Sequence, residues 1–86
     1  MQIIFQRTFT KQYEKFPRKI RDQFDERLLL WLDNPEDSRL RVHSLKGKYV
    51  GYWSMNVNGD VRALYRYEGE YIIIFALIGT HSGLYE

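Results

Sequence analysis

Two histidines and a tyrosine are the side chains best suited to move protons in this chain. His43 and His81 are its only histidines, and a histidine changes its charge near neutral pH, so it can act as a general acid or a general base. His81 follows a strongly apolar segment, residues 71–78, and Tyr85 comes four residues after it. This spacing predicts a polar end segment, residues 79–86, that leaves a buried strand and places an imidazole and a phenol at the rim of a sheet.

A local excess of positive charge surrounds the first histidine. Arg39, Arg41, Lys46 and Lys48 fall within a segment, residues 39–48, that contains no acidic side chain. The formal net charge of the whole chain is only +2, so the clustering rather than the total favours contacts with phosphate groups. A solvated surface edge would carry the same charges, and the residues alone leave both interpretations open.

The elements that must position these side chains are one strand, two helices and three further strands. We expect a strand at residues 2–6, a helix that ends at Pro17, and a second helix that runs to about Asp33. Strand patterns follow at residues 49–56, 60–67 and 71–78. The last is apolar on both faces, which is typical of a central strand that is covered on both sides. This order predicts an α+β fold, in which the two helices pack on one face of an antiparallel sheet completed by the three C-terminal strands.

The second helix carries more apolar surface than one stripe requires. Leu29 and Leu30 lie beside the stripe formed by its other apolar residues. Packing between two layers would explain both leucines, and so would a docked partner.

The turn between the first two C-terminal strands decides which side chains share a face of the sheet. A two-residue Asn58-Gly59 turn would place Asp60 and Arg62 among apolar side chains, and each unpaired buried charge costs several kcal/mol. A three-residue loop, residues 57–59, with Gly59 in the left-handed conformation shifts the pairing by one residue. We therefore predict this loop and one polar face that holds Ser54, Asn56, Asp60 and Arg62. The opposite, apolar face then holds Trp53, Met55, Val61, Ala63 and Tyr65.

The composition excludes several classes of site. The chain has no cysteine, which rules out disulfides, thiolate metal sites and cysteine nucleophiles. Its histidines and carboxylates show no spacing typical of metal ligands, and its glycines form no phosphate-binding loop, so we expect neither a metal nor a cofactor. The longest apolar run is far shorter than the roughly 20 residues of a membrane helix, and the first five residues lack the layout of a signal peptide. We expect one domain over residues 1–86, cytoplasmic and without a membrane partner.

Two motifs resemble those of a known family. They are Val42-His43-Ser44-Leu45-Lys46-Gly47, before a strand pattern, and Gly79-Thr80-His81 with Leu84-Tyr85, after the last strand. Their order and spacing resemble the RelE/ParE toxin superfamily, and more narrowly its YafQ-like branch of messenger-RNA endonucleases. The second half of the chain carries the resemblance, whereas the first half matches only in its strand-helix-helix pattern. The resemblance implies a RelE-like fold and a toxin of a type II toxin–antitoxin pair, with an antitoxin, messenger RNA and the ribosome as partners.

The resemblance also implies roles for residues of the two motifs. His81 corresponds to a histidine implicated in proton transfer, as the general acid. Tyr85 corresponds to an aromatic residue near the substrate, where it could stack on a base or donate to a phosphate. His43 corresponds to the histidine of the family's His-Pro-Leu motif, with Ser44 in place of the proline; a hydrogen bond that holds the loop after it is an equally open interpretation.

Further roles fall on the turn, the following strand and the basic segment. Asp60 matches an acidic residue of the family, as a base or as an orienter of a histidine, although aspartate after Asn-Gly is also ordinary turn chemistry. Arg62 takes the place of an arginine of RelE-type members, which implies that it clamps the phosphate. We expect further contacts with RNA from Arg41, Lys46, Lys48 and Asn56.

The implied reaction needs a base for the 2′-hydroxyl, an acid for the leaving 5′-oxygen and donors for the phosphate charge. Ser54 and Asn56 stand where YafQ-like enzymes tend to have an acidic residue and a further histidine, and neither can act as a base at neutral pH. The resemblance therefore implies a metal-free endoribonuclease, with a thin acid–base set that leaves reduced activity open. Two alternatives remain: a ParE-like inhibitor of DNA gyrase without catalysis, which the Gly-Thr-His motif disfavours, and an inactive relic that only binds its antitoxin.

Overall fold

The computed structural model describes residues 1–85, which form a five-stranded sheet and three α-helices. The elements are β1 (Gln2–Phe5), α1 (Arg7–Lys15), α2 (Arg18–Asp33), β2 (His43–Ser44), β3 (Trp53–Asn56), β4 (Val61–Glu68), β5 (Ile72–Thr80) and α3 (His81–Tyr85). Single turns of 3-10 helix at Ser38–Leu40 and Gly47–Tyr49 flank β2. The strand order is β1-β5-β4-β3-β2, with β1 parallel to β5 and every other pair antiparallel. The predicted α+β fold is confirmed, with β2 as a strand that was not predicted.

Helices α1 and α2 pack aromatic side chains onto one face of the sheet. Phe9 and Phe24 are buried, and both rings lie within 6 Å of the ring of Phe75 in β5, at 5.8 and 5.7 Å between centroids. Trp31 packs edge-on against Tyr65 of β4, and its indole N–H donates a hydrogen bond of 3.1 Å to the Tyr65 hydroxyl. Because aromatic pairs combine large buried area with preferred tilted geometries, these contacts fix both helices on the sheet.

The wide apolar surface of α2 divides between core and solvent. Leu30 is partly buried against the core, whereas Leu29 is 69% exposed. Packing therefore explains Leu30 and leaves Leu29 on the surface.

None of the helices in residues 1–85, α2 included, is long and apolar enough to cross a membrane.

Helix α1 covers the part of the β5 edge that β1 leaves open. Gln2–Phe5 pair only with Ile72–Phe75, the first half of β5. Beyond that point the side-chain carbonyl of Gln12 accepts a hydrogen bond of 2.9 Å from the backbone N–H of Ile78. The helix thus satisfies a backbone donor that an open sheet edge would expose.

The β3–β4 pairing confirms the predicted division between the two faces for the residues that lie within the two strands. Asn56 pairs with Arg62, and Trp53 pairs with Tyr65. Since side chains alternate along each strand, Arg62 points to the opposite side of the sheet from Trp53. Trp53, like Met55, Ala63 and Tyr65, packs with the core under the helices.

The loop that produces this register differs from the predicted one. The backbone N–H of Val57 donates to the carbonyl of Val61 at 2.9 Å, so the three-residue loop is Asn58-Gly59-Asp60 rather than residues 57–59. The prediction of a left-handed Gly59 is wrong, because its φ is not positive. The carboxamide oxygen of Asn58 instead accepts from the N–H groups of Asp60 and Val61, both at 2.8 Å, and so shapes the turn.

Two further predicted boundaries are wrong. Residues 49–52 lie outside β3, because Gly47 and Gly51 adopt φ values of 66° and 92° and the chain forms a 3-10 turn there. The predicted polar end segment is also divided differently: residues 79–80 continue β5, and residues 81–85 form α3. The last residue of that segment lies outside the described residues.

Candidate active site

A cleft of about 470 Å³ lies on the sheet face opposite α1 and α2. Its lining residues are Arg41, His43, Leu45, Ser54, Asn56, Arg62, His81 and Tyr85. Strand pairing gathers the central ones, since His43 is paired with Ser54, and Asn56 with Arg62. Nowhere in residues 1–85 do three histidine, aspartate or glutamate side chains group as metal ligands would.

His43 is oriented by a residue in a strained conformation. Arg41 has φ 47° and ψ 45°, the left-handed region, which a residue other than glycine adopts at a cost of about 1–2 kcal/mol. Its carbonyl oxygen lies 3.0 Å from Nδ1 of His43. Because a carbonyl can only accept, Nδ1 carries a proton in this bond, which leaves Nε2 as the ring nitrogen that can accept one. The bond that holds the loop therefore also selects the tautomer that a general base requires.

Helix α3 carries the other two proton-handling side chains. The rings of His81 and Tyr85 are in contact, with 4.8 Å between centroids. The start of the helix is held by two hydrogen bonds: Thr80 Oγ1 accepts from the N–H of Gly83 at 3.0 Å, and the N–H of His81 donates to the carbonyl of Asp60 at 2.9 Å. The imidazole of His81 is thus exposed at the cleft while its backbone is fixed.

Arg62 holds its guanidinium over the β3–β4 loop. It donates to the carbonyl oxygens of Asn58 at 2.8 Å, Val61 at 3.2 Å and Gly59 at 3.3 Å. These bonds fix one cation at the loop end of the cleft, and Arg41 supplies a second. No carboxylate is among the lining residues that the structure describes, so the cleft favours an anion such as a phosphate group.

Three predicted site residues lie outside the lining of the cleft. Asp60 belongs to the loop and is exposed, so the prediction that it shares the strand face with Arg62 is wrong; the loop falls one residue later than expected and takes Asp60 out of β4. Lys46 and Lys48 are exposed on the β2–β3 connection, where Lys48 Nζ lies 5.2 Å from the ring centroid of Tyr49. The roles proposed for these three residues stay predictions.

Ser54 and Leu45 line the cleft and were not predicted as site residues. Ser54 is completely buried, and its Oγ has no hydrogen-bond partner among the described residues. A buried hydroxyl without a partner is disfavoured by about 1–3 kcal/mol. Strand alternation did place Ser54 on the polar face. Because serine is a poor acid and a poor base, we did not predict it as a site residue. Leu45 could have been predicted from the sequence, because it belongs to the same motif as His43.

Solved structures show the same fold as this chain. The chain is similar to YafQ from E. coli strain BL21(DE3), with a TM-score of 0.83 at 19% identity over 98% of this chain and 97% of that chain. It is similar to the E. coli DinJ-YafQ toxin–antitoxin complex, at 0.79 and 19% over 98% and 96%. The Methanococcus jannaschii RelB-RelE antitoxin–toxin complex matches at 0.74 and 22% over 95% and 94%. These likenesses confirm the RelE-like fold; a comparison with curated proteins found no match.

A family model connects the fold with a family of sequences. The model of the bacterial toxin of the type II toxin–antitoxin system, YafQ, matches residues 1–86. The match includes the first half of the chain, where only the order of elements resembled the family. The chain therefore belongs to the YafQ family of bacterial toxins of type II toxin–antitoxin systems.

Proposed function

We propose that the protein is an endoribonuclease that cleaves messenger RNA with its own acid–base groups. The observation that carries the proposal is the composition of the cleft, in which two histidines and two arginines meet and no carboxylate lies among the described lining residues. Histidines supply proton transfer near neutral pH, and arginines supply donors for phosphate oxygens. The chain belongs to a family of toxins. The destruction of messenger RNA is one way in which such a protein can stop growth.

In the proposed reaction His43 is the base and His81 is the acid. Nε2 of His43 takes the proton of a 2′-hydroxyl, and the 2′-oxygen attacks the adjacent phosphorus. The bond to the 5′-oxygen breaks, and His81 gives that oxygen a proton. The products are a 2′,3′-cyclic phosphate and a 5′-hydroxyl end. Arg62 faces the negative charge that builds on the phosphate, where a preplaced donor acts most strongly.

The other lining residues bind and orient the RNA in this proposal. Tyr85, beside His81, stacks on a base or donates to a phosphate. Asn56 and Arg41 contact RNA from the lining of the cleft. The carbonyl of Asp60 accepts the N–H of His81, and in this proposal Asp60 orients His81 through that backbone bond.

We propose the ribosome as the place of cleavage and an antitoxin as the regulating partner. An acid–base set of two histidines gains from an RNA that another body holds in a reactive geometry. The DinJ-YafQ and RelB-RelE structures are complexes of related toxins with antitoxins. An antitoxin of this protein would cover the active face or the helices.

The test is to induce the protein in cells and to map the 5′ ends of RNA, with DNA gyrase assayed in parallel. We expect new cleavage sites in messenger RNA, 5′-hydroxyl ends and no gyrase inhibition. The control is the double variant His43→Ala with His81→Ala, which removes both proposed proton-transfer groups. Gyrase inhibition without new RNA ends would contradict the proposal and favour the ParE-like alternative; neither effect would favour the inactive relic.

A further inference from the structure

Tyr49 joins the β2–β3 connection to the end of α3. Its hydroxyl donates a hydrogen bond of 2.9 Å to the carbonyl oxygen of Leu84. The last carbonyls of a helix have no partner within the helix itself. Tyr49 therefore supplies, from a distant part of the chain, a donor that α3 lacks.

The ring of Tyr49 makes a second contact with α3. It meets the ring of Tyr85 edge-on, at 5.8 Å between centroids and an interplanar angle of 79°. Tyr85 in turn contacts His81 at 4.8 Å. One continuous row of rings thus leads from Tyr49 to the histidine of the cleft.

Helix α3 needs such external support. It is five residues long, and isolated helices shorter than about 12–15 residues are only marginally stable in water. It also contains Gly83, a poor helix former. The bonds from Thr80 and Asp60 hold only its first turn, whereas Tyr49 acts at its end.

We infer that Tyr49 is a positioning residue that holds α3 so that Tyr85 and His81 face the RNA. The catalytic part of this inference rests on the proposed endoribonuclease function, whereas the part that concerns the helix does not. Tyr49 itself is not among the residues that line the cleft. A defect in its variants would therefore act through α3.

The decisive variant is Tyr49→Phe, which removes the hydroxyl and keeps the ring. The matched control is Tyr52→Phe, since the ring of Tyr52 lies 6.2 Å from that of Tyr49 and its hydroxyl has no hydrogen bond within residues 1–85. With purified ribosomes and a short messenger RNA, we expect Tyr49→Phe to lower kcat about three- to tenfold, the loss expected for one hydrogen bond, and to raise KM by less, since Tyr85 moves with the helix. Tyr49→Leu, which also removes the ring, should lower kcat further, and Tyr52→Phe should match the wild type.

A second measurement does not depend on activity. Amide hydrogen exchange, followed by NMR, reports the opening of α3 at Leu84 and Tyr85. We expect exchange about three- to tenfold faster in Tyr49→Phe and unchanged in Tyr52→Phe. If the wild type cleaves no RNA, the proposed function fails while exchange still tests the role of Tyr49 in the helix. Exchange that is unchanged in Tyr49→Phe overturns the inference, and so does faster exchange with an unchanged kcat in an active enzyme.

Discussion

The two faces of the β3–β4 hairpin come from alternate residues of the same strands, yet they differ in whether their buried hydroxyl groups have hydrogen-bond partners. On the core face Met55 and Ala63 are fully buried, and the buried phenol of Tyr65 accepts the indole N–H of Trp31. On the cleft face Ser54 is equally buried, but its hydroxyl has no partner in the described chain. The buried hydroxyl on the core face therefore has a partner within the protein, whereas the buried hydroxyl on the cleft face has none among the described residues.

The difference shows one place where the fold gives up stability. An unpaired buried hydroxyl costs about 1–3 kcal/mol, and the left-handed conformation of Arg41 adds about 1–2 kcal/mol. Both features lie at the cleft. Such local conflicts are expected at functional sites. Substitutions on the two faces should therefore separate stability from activity.

The largest effect expected on the cleft side is that of His81→Ala. Loss of a general acid should lower the cleavage rate by about 10²–10⁴, and the variant should no longer inhibit growth. Because His81 is exposed, its removal leaves no cavity, and the free energy of unfolding should stay unchanged. Cleavage kinetics and denaturant unfolding of the same preparation measure both quantities.

Binding of the antitoxin provides the control for His81→Ala. The variant should still form the complex, since the fold and the helices are intact. A His81→Ala protein that remains fully toxic would show that His81 is not the acid. A variant that loses stability together with activity would place His81 with the core rather than with the cleft.

The side of the sheet on which each residue lies could be predicted from the sequence, because energy decides it. Any register that moved Arg62 to the side of Trp53 would bury an unpaired charge, so only registers with the observed alternation were acceptable. The same reasoning placed Ser54 and Asn56 with Arg62. The fold class followed from the order of apolar patterns and was equally accessible.

The exact loop and the end of the chain could not be predicted, because long-range or side-chain hydrogen bonds decide them. Asn58 shapes its loop with its own carboxamide and bonds Gln23 of α2 at 2.9 Å, so Gly59 needs no left-handed conformation. Helix α3 depends on Tyr49, which precedes Leu84 by 35 residues. Neither the contact between Asn58 and Gln23 nor that between Tyr49 and Leu84 can be predicted from the neighbouring residues in the sequence. Asp60 was misplaced for this reason.

The pH dependence of the free energy of unfolding tests whether burial holds Tyr65, on the core face, in its neutral form. Burial raises the pKa of Tyr65 to about 12, from its ordinary value of 10.0. The unfolded chain therefore loses this proton at lower pH than the folded one, so the stability from neutral Tyr65 is full below pH 10 and is lost as the pH rises to 12. In urea unfolding, the advantage of the wild type over Tyr65→Phe should shrink across this range. An advantage that stays constant would mean that Tyr65 is not held neutral by burial.

The smallest expected effect concerns the exposed lysines beside the cleft. If Lys46 and Lys48 contact phosphates, replacing both with glutamine should weaken the binding of a 2′-O-methyl RNA, which cannot be cleaved, and reduce its salt dependence. Each lost contact with a single strand removes about 0.7 from the slope of log affinity against log salt concentration. The matched control is the double replacement of Lys11 and Lys19, which are exposed on α1 and α2. It removes the same charge from the helical side of the molecule and should leave the slope almost unchanged. Equal losses in the two variants would mean that RNA senses only the net charge, and no loss in either would mean that Lys46 and Lys48 merely solvate the surface.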